Sequence, residues 1–561
     1  MCVPERGMTN LDNYGRMTIG ELLDRSAGRY PHNEALVFPG TDTRYTYRQM
    51  QQACNRAAKG LMALGVRRGE HIAVMAPNVP EWVLTQFAAA KVGAVLVTAN
   101  TNYTLFEMEY LLRHSDVNTL VFASKFRDTD YLGMVRQLCP EMLENMPGRL
   151  NCKKLPMLKN LVLTGGGPVP GLFAWEEMLA AGDDISDQEL AARQAFLQPD
   201  EVISIQYTTG ITGFPKGVML SHANLVKNAI DMAGCMNLGP DDRLCLPVPL
   251  FHTFGCVLGT LTCVSASATM VIPEYFNPVR VLEALEKERC TALHGVPTMF
   301  ITELEVLENH YFNTSSLRTG IMSGAPCPPD LIRVVAEKTG MREIVVTYGQ
   351  AEASPGITMS RFDEPLEVRM HTVGRPLDGV EVKIADPATG DDVPPGAQGE
   401  ICARGYNIMK GYYKMPEATT AAIDEQGWLH TGDLGVMDAD GYLRVTGRIK
   451  DVIIRGGENI YPREIEEFLS KHPGIKDVQV VGVPSEKYGE EVMAFIQPHN
   501  GAEVTIEEIR KYCIGRIARY KIPAHIQLVD GYPTAASGKV QKHRLRELGL
   551  KKLSRHGLAV N

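Results

Sequence analysis

The chain has little that would suit it to nucleic acid, to a disulfide framework or to a membrane. Lys and Arg number 57 against 66 Asp and Glu, for a net charge of −9 over 561 residues. Phosphate backbones demand clustered cations, so DNA and RNA are excluded as partners. The 12 cysteines are scattered, with Cys256 and Cys263 the closest pair, and no C-x-x-C or Cys/His spacing points to zinc or to disulfides. Reduced, mostly buried thiols in a cytoplasmic protein are the expectation. The opening MCVPERGMTNLDNYGRM lacks the basic-then-apolar layout of a signal peptide, which agrees with it. Long apolar runs are also scarce. The longest uncharged one, TFGCVLGTLTCVSASATMVIP at 253–273, is rich in Thr, Ser and Gly, and reads as a buried helix leading into a strand at 268–272, with no integral membrane span.

What is present is a globular composition, 44% hydrophobic and 22% charged, in a chain too long for one core. From His71, HIAVMAPNVPEWVLTQFAAAKVGAVLVTANT sets an apolar run, a Pro-started helical stretch and a second apolar run in succession, a β-α-β unit. NTLVFAS at Asn118, NLVLTG at Asn160 and VISIQYTT at Val202 repeat the strand pattern. The fold class is therefore α/β, with a large N-terminal domain (1–449) of layered, mostly parallel sheets covered by helices. After Asp451 the units shorten: DVIIR, the helix PREIEEFLSKH, VQVVGV, VMAFIQP, and a helix opened by a capping box from Thr505 to Glu508. These predict a small, mobile α+β C-terminal domain (450–561), with a hinge at Lys450 in a polar, charged turn.

The stretch YTTGITGFPKG at 207–217 is built from small residues, hydroxyls and one lysine, which suits a polyanion. It is not a Walker phosphate loop: Pro215 stands where the second glycine belongs, Gly217 where a Ser or Thr should meet magnesium, and a strand-like GVML follows before a helix that Ser221 could cap. Alone it reads as a Gly/Thr-rich turn joining two strands.

It is not alone. The pattern Y-T-T-G-x-T-G-x-P-K-G resembles the signature of the adenylate-forming superfamily of acyl-CoA synthetases, luciferases and peptide-synthetase adenylation domains. Six further motifs follow in the family's order: SGAP at Ser323, YGQAE at Tyr348, GRP at Gly374, TGD at Thr431, GRIKDVIIRGGENIYP at Gly447 and SGKVQKHRLR at Ser537.

The resemblance implies that Thr208, Thr209, Gly210, Ile211, Thr212, Gly213 and Lys216 cradle the phosphates of ATP. It implies that Tyr348 gives adenine an aromatic plane beside the backbone of Gly324, Ala325 and Pro326, with Gly349, Gln350 and Ala351 completing the nucleotide set. Asp433 would hold the ribose diol beside Arg448, a carboxylate being suited to two adjacent hydroxyls; unaided, an Asp in T-G-D reads as a turn cap. Glu352 would hold Mg²⁺, a hard ion taking oxygen ligands. Lys539 is the implied catalytic lysine, with Lys216 and His252 as further catalytic candidates. Ile211 and Ala351 stand where the family commonly has threonine, so the phosphate region has fewer hydroxyls.

With no carrier-protein segment after Lys539, coenzyme A is the expected acceptor, and Gly456 and Gly457 would line its pantetheine path after rotation about Lys450. His252 stands where amino-acid-activating domains place an Asp, which disfavours an α-amino acid. By the same comparison Gly349, where acetate-specific relatives carry Trp, leaves the acid pocket open. Phe254, Val296, Met299 and Ile357 give it an apolar wall, although periodicity reads Phe254 and Met299 equally well as core. The expected function is an ATP-dependent, AMP-forming ligase of a medium-chain fatty or alicyclic acid with CoA. An aryl acid-CoA ligase, a luciferase-like oxygenase and a nucleotide-binding regulator that adenylates poorly are the alternatives. The implied partners are small molecules, and a homodimer is left open beside the monomer.

Overall fold

The computed structural model describes residues 16–208, 215–456, 458–485, 487–499, 501–502, 504–535 and 538–555. The chain divides into two compact units, Met1–Glu381 with Ala403–Leu429, and Val382–Cys402 with His430–Asn561. Compactness thus groups 430–449 and the segment 382–402 with the C-terminal residues.

The first unit is built on two large sheets. In the eight-stranded one, His71–Met75, Val95–Thr98, Val117–Ala123, Asn160–Thr164 and Val202–Thr208 lie parallel to one another, as the apolar runs predict. The intervening helix Pro80–Val92 starts on Pro80 and stops at Gly93, whose φ of 74° is cheap only for glycine. Its residues from Trp82 to Val92 are all buried, so it is a core helix sheathed on every side. Lys91 is tolerated there because its ammonium meets Asp24 at 2.5 Å.

The nine-stranded sheet sets four parallel strands side by side: Arg243–Cys245, Ala292–Leu293, Thr319–Met322 and Glu343–Gly349. Thr269–Val271 lies on the other side of Arg243–Cys245, also parallel. The chain therefore changes direction across the sheet at Arg243–Cys245, and such switch points leave a crevice at the carboxyl ends of the strands. The 253–273 run is buried as expected, but with a π-helical segment, Cys256–Leu261, between two short α-helical ones. Among the described residues no helix is long and apolar enough to cross a membrane.

In the second unit, a four-stranded sheet includes Leu429–Met437 and Leu443–Arg448 as an antiparallel pair. A five-stranded sheet follows, centred on the long antiparallel pair Ile475–Ser485 and Gly489–Pro498. Helices Pro462–Leu469 and Ile506–Cys513 pack their apolar faces on it through Ile465, Leu469, Ile509 and Cys513. Thr505 Oγ1 accepts from the Glu508 N–H at 3.2 Å, the N-cap half of the capping box read from the sequence.

Candidate active site

In the first unit, the glycine-rich segment joins two antiparallel strands, Val202–Thr208 and Lys216–Ser221, paired from Thr208↔Lys216 down to Val202↔Ser221. The segment is thus followed by a strand antiparallel to the one before it, and not by the helix that a strand-to-helix phosphate loop requires. Thr209, Gly210, Ile211, Thr212 and Gly213 lie outside the described residues. The hairpin is anchored at its far end. Ser221 caps the helix His222–Cys235, with its Oγ accepting from the Asn224 N–H while Asn224 reaches back to the Ser221 N–H.

Four segments named from the sequence leave the carboxyl ends of the four adjacent parallel strands. Arg243–Cys245 leads to His252, Ala292–Leu293 to Val296, Thr319–Met322 to Gly324–Pro326, and Glu343–Gly349 to Gln350–Glu352. They stand along the sheet in chain order, with Thr269–Val271 placed on the far side of Arg243–Cys245, and it is the parallel pairing of their strands that collects them. Ser323 Oγ donates to the Thr347 carbonyl at 2.8 Å and ties two of these segments together. Gly324 takes φ 85°, a left-handed turn that glycine permits. Tyr348 is buried opposite Thr358 in the antiparallel neighbour Gly356–Met359. His252 is exposed, its Nδ1 accepting from the Phe254 N–H at 3.2 Å as the cap of a short helical turn. Phe254, Val296, Met299 and Ile357 are all buried, and the Phe254 ring lies 5.6 Å from that of His294.

Gly349 has a local reason to be glycine. A Cβ there would fall 1.8 Å from the Pro355 carbonyl oxygen, which already accepts the Gln350 N–H at 2.9 Å. The backbone conflict forbids a side chain whatever the length of the acid, so its small size does not by itself report on pocket depth.

Glu352 sits in the short turn Ala351–Ala353, its carbonyl accepting the Met409 N–H at 2.9 Å. Tyr412, absent from the sequence reading, donates its hydroxyl to Glu352 Oε1 at 2.8 Å. Lys216 Nζ lies 4.7 Å from the centroid of the same ring. Downstream, Asn228 and Asn407 donate to the Gly356 carbonyl at 3.0 and 2.8 Å, pinning the exit of this segment. A half-buried carboxylate is the hard oxygen donor Mg²⁺ takes, so Glu352 fits that ion chemically.

In the second unit, Asp433 and Arg448 face each other across the antiparallel pair, with Arg448 Nε 2.8 Å from Asp433 Oδ1. Thr431 supplies the turn cap, its Oγ1 accepting the Asp433 N–H at 3.1 Å, which leaves the Asp433 carboxylate for the guanidinium. Glu400, also missed by the sequence reading, orients this corner: Oε1 accepts the Gly432 N–H at 3.0 Å and Oε2 lies 2.9 Å from His430 Nδ1. Lys450 is exposed in the turn Ile449–Asp451. Gly456 has φ 60° and begins the two-residue connection between Arg455 and Glu458, which pair across a hairpin; such a turn needs positive φ. Gly457 lies outside the described residues.

Lys539 follows Gly538, φ 79°, in a tight turn closed by the Ala535 N–H to the Lys539 carbonyl at 2.7 Å. The residue as a whole is exposed. Crowding of its ammonium by protein, and then the cations Arg448 and Lys450, push its pKa down to about 8, against a partial lift from Asp433 and Asp451. The structure therefore gathers Lys539, Asp433, Arg448 and Lys450 in one unit, and Lys216, Tyr348 and Glu352 in the other.

The sequence profile of the AMP-binding enzymes matches residues 23–413, and that of the AMP-binding enzyme C-terminal domain matches 464–539. The Bacillus subtilis protein YngI is 51% identical over 94% of this chain and 96% of its own length. The mitochondrial medium-chain acyl-CoA ligase ACSF2 of Danio rerio is 43% identical over 96% of this chain and 89% of its own. Among solved structures, ATP-bound MatB from Rhodopseudomonas palustris superposes with a TM-score of 0.81 at 29% identity, over 95% of this chain and 99% of that one. The anthranilate CoA ligase AuaEII with anthranoyl-AMP does so with 0.84 at 26%, over 98% and 100%. With both profiles matched in order and relatives this similar along nearly the whole chain, the protein belongs to the AMP-binding enzyme family.

Proposed function

We propose that the protein is an AMP-forming acyl-CoA synthetase that activates a medium-chain carboxylic acid with ATP and passes the acyl group to coenzyme A. The observation that carries this is the 43% identity to a medium-chain acyl-CoA ligase along 96% of the chain, a span that includes both compact units.

In the first half-reaction a carboxylate oxygen attacks the α-phosphorus of ATP, the bond to the bridging oxygen breaks, and pyrophosphate leaves with the electron pair. The difficulty is charge on the phosphoryl oxygens, which fixed cations and donors relieve. Lys216 and the hairpin tip serve the departing phosphates. Lys539, still mostly protonated at neutral pH with a pKa of about 8, serves the α-phosphoryl group. Tyr348 and Gly324–Pro326 hold the adenine, and Asp433 the ribose hydroxyls. Glu352 would hold the Mg²⁺ that accompanies ATP, whose charge neutralises the phosphates when bound. In the second half-reaction the CoA thiol attacks the acyl carbon and AMP leaves. Gly456 and Gly457 line the thiol's approach after the C-terminal residues turn about Lys450.

The test is pyrophosphate exchange and CoA-thioester formation over a panel of acids of two to sixteen carbons together with benzoate and anthranilate. Exchange and thioester that peak among the medium-chain acids are expected. A peak at the aryl acids would replace the substrate and keep the reaction. ATP binding with no exchange for any acid would overturn the reading in favour of a nucleotide-binding regulator.

A further inference from the structure

Tyr412 lies outside every motif that carries the family resemblance, yet it touches two residues implicated in handling phosphate. It ends the two-residue strand Gly411–Tyr412, which extends the glycine hairpin's sheet, opposite Val218. Its own N–H donates to Thr419 Oγ1 at 2.9 Å, and the next residue's N–H donates to the Gly217 carbonyl at 2.8 Å, so the backbone is held on both sides. The residue is 7% exposed. Its hydroxyl reaches Glu352 Oε1 at 2.8 Å and its face meets the Lys216 ammonium at 4.7 Å.

We propose that Tyr412 is a positioning residue that holds the Glu352 carboxylate in one rotamer for the divalent cation of the ATP complex, while its ring holds the Lys216 ammonium at the base of the glycine hairpin. This rests on the synthetase reading. A glutamate on a short turn has three side-chain torsions to fix. A hydrogen bond to one oxygen from a side chain immobilised by its own strand pairing fixes them, and directs the other oxygen. Outer-shell partners of this kind are typically worth 10- to 100-fold in metal affinity.

Tyr412→Phe keeps the ring over Lys216 and removes only the hydroxyl. The Mg²⁺ concentration giving half-maximal pyrophosphate exchange should rise about tenfold, and calorimetric binding of ATP with Mg²⁺ should weaken to match. Binding of ATP in EDTA should stay at the wild-type value, because that readout involves Lys216 and not Glu352. In a Glu352→Gln background the same change should cost nothing further, since two residues acting through one contact are not additive. Wild-type Mg²⁺ dependence in Tyr412→Phe, equal weakening with and without Mg²⁺, or an undiminished cost in the Glu352→Gln background would each overturn the proposal. Wild-type protein assayed alongside separates the two readings. If it exchanges no pyrophosphate with any acid, the synthetase reading falls, whereas an active wild type with an unaffected Tyr412→Phe removes the positioning role alone.

Discussion

Lys539 illustrates how a residue's surroundings set a testable pH limit. In the role proposed for it, a lysine whose pKa is held down to about 8 supplies its cation to adenylation below that pH and loses it above. The kcat/KM of adenylation, which reports the free enzyme, should therefore be level below about pH 8 and fall about tenfold per unit above it. Lys539→Arg, which stays charged, should show no such fall, at a reduced maximal rate. Glu303 makes the opposite case, a group with no catalytic assignment whose burial ties stability to pH. It is 4% exposed on the helix Pro297–Asn309, its Oε1 is without a hydrogen-bond partner, and burial pushes its pKa from 4.5 up to about 8. A carboxyl raised on folding binds its proton more tightly in the native state, so stability is full below pH 4.5 and declines as pH rises from there to about 8, at about 1.4 kcal/mol per unit. Glu303→Gln removes the titration. Its melting temperature should exceed that of the wild type at pH 8.5 by more than it does at pH 6, and an identical pH dependence in both proteins would refute this.

At the scale of elements, the β-α-β unit from His71, the later strands and the C-terminal units were legible because apolar periodicity and the Pro and Ser/Thr start signals are local. The π-helical Cys256–Leu261 carried no such signal, since a wider turn is imposed by what packs around it. Gly259 shows the pressure: a Cβ there would stand 2.3 Å from Leu246 Cδ2. The strand pair Glu343–Gly349 and Gly356–Met359 makes a sharper point. Size alone offers Gly349→Trp as a switch toward short acids, whereas the Pro355 carbonyl at 1.8 Å from any Cβ makes even Gly349→Ala force the two strand ends apart. Gly349→Ala should cost about 1–3 kcal/mol in urea unfolding and raise KM for ATP, with relative preference across the acids unchanged. Intact stability with a shift toward acetate and propionate would restore the pocket reading.

For the whole molecule, the two half-reactions should separate by variant. Lys450→Pro, which restricts φ to near −65°, should leave single-turnover acyl-adenylate formation within a few-fold of the wild type and slow CoA transfer from supplied acyl-adenylate far more. Equal slowing of both steps would argue for one fixed active site with no rotation about Lys450. The proposed hinge at Lys450 is a functional boundary and need not coincide with the compact units: the pairing of Leu429–Met437 with Leu443–Arg448 keeps 430–448 with the C-terminal residues.

The α/β class, the family and the nucleotide candidates were determined by sequence alone, because each motif is a short contiguous run whose residue types carry their own chemistry. Tertiary structure decided which of those runs meet. His252, Val296, Gly324 and Gln350 leave the carboxyl end of one sheet because their strands, separated in the chain by helices, pair side by side in space. Tyr412 reaches Glu352 from 60 positions away, and Glu400 reaches Gly432 from 32. Neither residue belongs to a run that announces a role, since a hydrogen bond across that separation is set by strand pairing and backbone packing, which no local pattern encodes.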